Sequence, residues 1–128
     1  MRLKGLFPAF LIIMSIASSA AFAQEMTGPQ KNAVRSAENY LSFTAFSRQG
    51  LIDQLSSSYG DGYDVADATA AVDSMSINWN DQSVKSAKQY LEMTGFSCKG
   101  LTEQLSSDYG DQYTPDQASY GAQQAGAC

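Results

Sequence analysis

The side chains in this chain that could do chemistry are hydroxyls and carboxylates, and most occur twice. Ser47, Ser56 and Ser57 recur as Ser97, Ser106 and Ser107 at one constant shift. A nucleophilic serine needs a general base within hydrogen-bond reach. The chain has no histidine, which removes the commonest base and the commonest zinc ligand. No lysine lies in an apolar setting. The serines therefore read as helix caps and polar turns. Asp61, Asp64 and Asp67 loosely imitate a calcium loop. A true loop needs ligands at alternate positions, a glycine at the sixth and a glutamate at the twelfth. None of that is met, and the second copy keeps only Asp111 and Asp116, out of register. These aspartates read as caps and partners of helix dipoles. Asp53, Asp61 and Glu103 could be taken for a glycosidase pair, but nothing implies a cleft holding two acids about 5 to 10 Å apart. No catalytic residue, metal ligand or cofactor is expected, and the chain does not read as an enzyme.

What survives is a surface for binding. The outward residues of each unit's second helix and following turn are Asp53, Ser57 and Asp61, then Glu103, Asp108 and Asp111. This acidic face suits a basic protein segment. The alternative is a solvated face that aids solubility. Tyr59, Tyr63, Tyr109 and Tyr113 are either aromatic anchors at an interface or the rim of a small core.

The elements that must carry these residues are themselves duplicated. Asn32–Met75 and Gln82–Ala125 align without a gap at a shift of about fifty residues, a period typical of repeat architectures. Val34, Ala37, Tyr40 and Leu41 share one helical face, repeated as Val84, Ala87, Tyr90 and Leu91. Thr27 and Pro29 signal the start of the first of these helices, and Asn80 is the expected cap of its counterpart. Ser47 and Ser97 are expected to cap a second helix carrying Leu51 and Leu55, or Leu101 and Leu105. Gly50 and Gly100 inside it imply close approach of another helix backbone. Gly60 and Gly110 are expected to end it in a left-handed turn. A third helix follows, with the capping box Thr114-Pro115-Asp116-Gln117 in the second copy and Asp64 and Asp67 in the first. Its buried stripe is Val65, Ala68, Ala71, Val72 and Met75, or the weaker Pro115, Ala118, Gly121, Ala122 and Ala125. The linker Ser76–Asn80 is short, and Trp79 is expected to pack between the units, giving a rigid pair.

The fold class is thus all-α: two tandem three-helix, helix-turn-helix-like repeats after an N-terminal signal segment. The divisions are residues 1–23 for the signal, 24–78 for the first repeat and 79–128 for the second. Arg2 and Lys4 open a leader with an apolar run of about eleven residues, Leu6–Ile16, too short for a confident span. Ala21-Phe22-Ala23 fits signal peptidase, placing cleavage between Ala23 and Gln24. The alternative is an uncleaved tether to the inner membrane. No cysteine stands at the cleavage point to carry a lipid. The net charge is −5, and losing Arg2 and Lys4 makes the mature chain more acidic. A helix-turn-helix reader of DNA carries a basic face. This chain has the opposite sign, so nucleic acid is not an expected partner. Cys98 and Cys128 are the 2 cysteines. In an exported protein they favour a disulfide over two free thiols. It would hold down the weak last helix.

The repeats resemble the Ltp family, also called host cell surface-exposed lipoproteins. The resemblance is carried by NAVRSAENYLSFTAFSRQGLIDQLSSSYGDGY, by the join Ile77-Asn78-Trp79-Asn80 and by SVKSAKQYLEMTGFS. The shared motifs are A-x-x-Y-L, F-S-x-x-G-L and Q-L-S-S. The resemblance implies tandem helical units on the outer face of the bacterial membrane. It also implies a role in superinfection exclusion: stopping a second phage from passing its DNA into the cell, with the phage tail tape measure protein as target. The chain departs from the family in lacking a lipid-bearing cysteine, in having Cys98 where a basic residue is usual, and in adding Cys128. A periplasmic location, or the outer face of the inner membrane, fits those changes, with membrane contact only through an uncleaved signal. The rival expectation is a structural or adhesive envelope protein that binds host or cell-wall components.

Overall fold

The computed structural model describes residues 25–128. The signal segment and the expected cleavage point between Ala23 and Gln24 lie outside them. The described residues form six helices: α1 (Gly28–Phe43), α2 (Arg48–Ser56), α3 (Val65–Ser74), α4 (Trp79–Met93), α5 (Cys98–Ser106) and α6 (Pro115–Gln124). They group as two three-helix repeats, in which the first and third helices make the broadest contact.

Local chemistry explains most boundaries. Thr27 and Thr114 each form a full capping box with the glutamine three residues on, and Pro29 and Pro115 stand in the first turn. Ser47 and Ser97 accept the amides of Gly50 and Gly100. These bonds satisfy donors that a helix leaves without a partner. The cap of α4 is Asn78, not Asn80. Its side chain accepts from the Asp81 amide, and the helix begins at Trp79. Asn80 is therefore already helical, a correction of two residues. Asp64 stands at the cap of α3 without a side-chain capping bond. Asp67 instead accepts from Gln30 of α1 at 3.3 Å.

The glycines serve purposes other than those expected. Gly60 and Gly110 do not adopt the left-handed conformation; Gly62 (φ 69°) and Gln112 (φ 62°) do. Gly60 and Gly110 are required because a β-carbon there would collide with the carbonyl of Gln54 or Gln104. Gly50 approaches the Asp111 carbonyl of the other repeat, and Gly100 has no neighbouring helix backbone beside it. Their common neighbour is the hydroxyl of their own capping serine.

Each repeat has its own core. In the first, Ala37, Leu51, Ile52, Leu55, Ala68 and Val72 are buried together. In the second, Ala87, Leu101, Leu105, Tyr113, Ala118 and Ala122 take that part. Val65 is 64% exposed and leaves the expected stripe. It begins α3, one turn before the helix reaches the core. Trp79 is half-buried against the first core although it is the first residue of α4. At the α4–α6 crossing Ser83 and Gly121 meet closely, and Ser83 donates to the Gln117 carbonyl at 2.6 Å. The aligned positions in the first repeat are the buried Ala33 and Ala71.

Cys98 and Cys128 are bonded, with a sequence separation of 30. They tie the start of α5 to the end of the chain. The first repeat has a counterpart at the aligned position. Arg48, at the start of α2, holds Asp73, near the end of α3, through two bonds of 2.7 and 2.8 Å.

Candidate functional site

The recurring serines have structural occupations. Ser56 and Ser106 bond back to carbonyls one turn earlier. Ser57 and Ser107 accept the Tyr59 and Tyr109 amides at 3.1 and 3.2 Å. Among the described residues no three histidine, cysteine, aspartate or glutamate side chains gather closely enough to hold a metal.

The turn after α2 and α5 is built identically in both repeats. A tyrosine from the first helix braces it: Tyr40 donates to Asp61 and Tyr90 to Asp111, each at 2.9 Å. The same hydroxyls face the amides of Gln54 and Gln104. Tyr63 and Tyr113 point the other way, meeting Ser36 at 3.0 Å and Ser86 at 2.6 Å. Burial pushes the Tyr113 phenol well above its usual range. The four tyrosines singled out in the sequence therefore divide. Tyr113 is 2% exposed and Tyr63 packs on the first core, while Tyr59 and Tyr109 stand fully in solvent.

The acidic candidates divide as well. Asp53, Asp61, Glu103 and Asp108 are exposed. Asp111 is half-buried, and desolvation raises its carboxyl above the usual value even though the Tyr90 hydroxyl supports its charge. Glu103 lies 3.9 Å from Lys99 on the same helix. Asp53 accepts from Gln49 at 2.7 Å and from Gln112 of the second repeat at 3.1 Å. The structure thus brings Asp53 to the turn containing Asp111 and Gln112.

That meeting is part of the junction between repeats. The Ser47 hydroxyl donates to the Asp111 carbonyl. The Phe46 amide donates to Gln82 at 3.1 Å, and Thr44 to Gln89 at 3.3 Å. Gln82 is buried. Sequence reasoning missed these contacts because they join polar residues outside the apolar stripes. Three depressions along the junction have volumes of about 200, 260 and 430 Å³; two fall below the ~300 Å³ at which small-molecule sites begin, and the largest is a shallow trough broadly open to solvent. The surface suits macromolecular contact better than enclosure of a substrate.

The family described as host cell surface-exposed lipoprotein matches the chain twice, over residues 29–75 and 78–124. The chain belongs to this family. It is similar to a solved structure, Ltp, a superinfection exclusion protein from the Streptococcus thermophilus temperate phage TP-J34. The TM-score is 0.69 at 29% identity, covering 77% of this chain and 97% of that one. No curated protein matches the chain. Among the described residues no helix is long and apolar enough to cross a membrane.

Proposed function

We propose that this protein is a superinfection exclusion factor, exported to the periplasm or the outer face of the cytoplasmic membrane. There it binds the tail tape measure protein of an incoming phage and blocks passage of the phage DNA. The observation that carries this reading is the match to 97% of a superinfection exclusion protein, spanning both repeats. The family's surface-exposed character supports export. The exposed carboxylates of α2, α5 and their turns supply charge complementary to a basic tail segment. No bond-making step is needed: occupation of the tail protein is sufficient.

The test is expression in a sensitive host. Phage should adsorb normally while their DNA stays outside, and plating efficiency should fall for a subset of tailed phages. Unchanged plating over a broad panel, with the protein confirmed in the envelope fraction, would overturn the reading.

A further inference from the structure

We infer that the depression where the first repeat's turn meets the second repeat is a seat for one arginine side chain of an extended basic partner segment. Tyr59 stands at its edge and the Asp53 carboxylate supplies its charge. This inference rests on the reading above, that the chain works by binding a tail protein.

The depression holds about 290 Å³ and is lined by Asp53, Gln54, Ser57, Tyr59, Gly60 and Gln112. A fully exposed aromatic ring contributes nothing to a core, yet its backbone is tightly held. The Tyr59 amide donates to Ser57, the Gly60 amide to the Ser57 carbonyl at 3.0 Å, and the Asp61 amide to the Gln54 carbonyl. The backbone that carries the ring is thus held in place, and the exposed ring offers its negative face to a cation. A planar guanidinium stacks on such a face and pairs with a carboxylate at once, which an ammonium cannot do as well.

Asp53 is set for that purpose. Both its oxygens are oriented by neutral amides, from Gln49 and Gln112. Among the described residues no basic side chain is within ion-pair distance of it. Gln112 adopts a left-handed backbone conformation where the first repeat uses Gly62. A side chain at such a position costs about 1 kcal/mol, and its use here brings the amide to Asp53.

The second repeat lacks this arrangement. Glu103 replaces Asp53 and Lys99 replaces Gln49, so the carboxylate already has a cation beside it. Among the described residues no amide from the other repeat reaches Glu103 as Gln112 reaches Asp53. Tyr109 is as exposed as Tyr59, but the carboxylate aligned with Asp53, Glu103, already faces Lys99. The two repeats are alike in fold and unlike at this point.

The test is an amide NMR titration of the protein with a short oligo-arginine peptide, alongside exclusion assays in cells. The amides of Asp53, Tyr59 and Gln112 should shift more than those of Glu103 and Tyr109. Tyr59→Ala should weaken binding about three- to tenfold, Tyr59→Phe should retain it, and Tyr109→Ala should change it less than about twofold. Both tyrosines are fully exposed, so neither change disturbs the core. Equal losses for the two alanine variants, no loss for either, or shifts spread evenly over the acidic residues would overturn the seat. If that happens while cells still exclude phage, the functional reading stands without it. Selective loss with Tyr59→Ala in a protein that excludes no phage would uphold the seat and remove its proposed purpose.

Discussion

Asp111 combines three tasks in one residue. Its carboxylate braces Tyr90, its carbonyl accepts the Ser47 hydroxyl, and its side chain is half withdrawn from water. Desolvation raises its pKa, so the folded chain holds that proton more tightly than the unfolded chain does. Stability from this group is therefore greatest at low pH and falls as pH rises from the ordinary carboxylate value through the raised one. Asp73 has the opposite sign. The Arg48 guanidinium lowers its pKa, so its contribution is lost as pH falls through the folded value. Urea midpoints measured across the carboxylate range should separate the two. Asp111→Asn keeps an acceptor for Tyr90 and should flatten the part that declines with rising pH. Asp73→Asn should remove the part lost in acid. A profile unchanged by either substitution would contradict these assignments. At this scale the capping residues were legible in the sequence, because Thr27, Thr114, Ser47 and Ser97 act within three residues of themselves. The split between Tyr59 and Tyr63 was not. Both follow the same helix, and only the three-dimensional turn sends one into solvent and the other to Ser36.

At the scale of elements, the two repeats secure the same helix pair by different means. The Arg48–Asp73 pair is half exposed, and exposed pairs of this kind are worth at most about 1 kcal/mol. The Cys98–Cys128 bond closes a loop of 30 residues, worth about 3 kcal/mol in the chain-entropy account. Reduction, or Cys98→Ser with Cys128→Ser, should cost about 2–4 kcal/mol in urea unfolding and loosen α6 first. Arg48→Ala should cost about 1 kcal/mol or less. Equal costs would mean that the last helix does not need its clasp. A second difference lies at the first–third helix crossing, where Ser83 and Gly121 stand in place of Ala33 and Ala71. Gly121→Ala should cost about 1–3 kcal/mol because its new methyl meets Ser83. Adding Ser83→Ala should recover part of this, though not all, since the Ser83 backbone is also close, at 2.8 Å. Additive losses in the double variant would show that the two residues do not share one space. The helix count and the Leu51/Leu55 and Leu101/Leu105 faces were readable from periodicity. The start of α4 and the exposure of Val65 were not, because a periodic stripe does not say where the core stops.

For the whole molecule, the decisive residue is Trp79, where the two repeats are joined. It opens the second repeat's first helix while its ring packs on the first repeat's core beside Met75 and Ile77. Small units bury a limited share of their surface, so one borrowed aromatic is a large fraction of the first core. Polar contacts from Ser47, Phe46 and Gln112 join the repeats elsewhere along the junction. Trp79→Ala should therefore destabilise the first repeat more than the second, by about 2–4 kcal/mol for a partly buried tryptophan. Hydrogen exchange can resolve this: amides of α2 and α3 should exchange faster, while α5 and α6, held by the disulfide, keep their protection. Uniform acceleration across all six helices would instead mean that the repeats unfold as one cooperative body. Exchange faster only at the start of α4 would mean that the ring is a local cap. If the first outcome holds, the junction that shapes the Tyr59 depression loosens with the first repeat, and affinity for a basic segment should fall even though Trp79 is absent from the residues lining it.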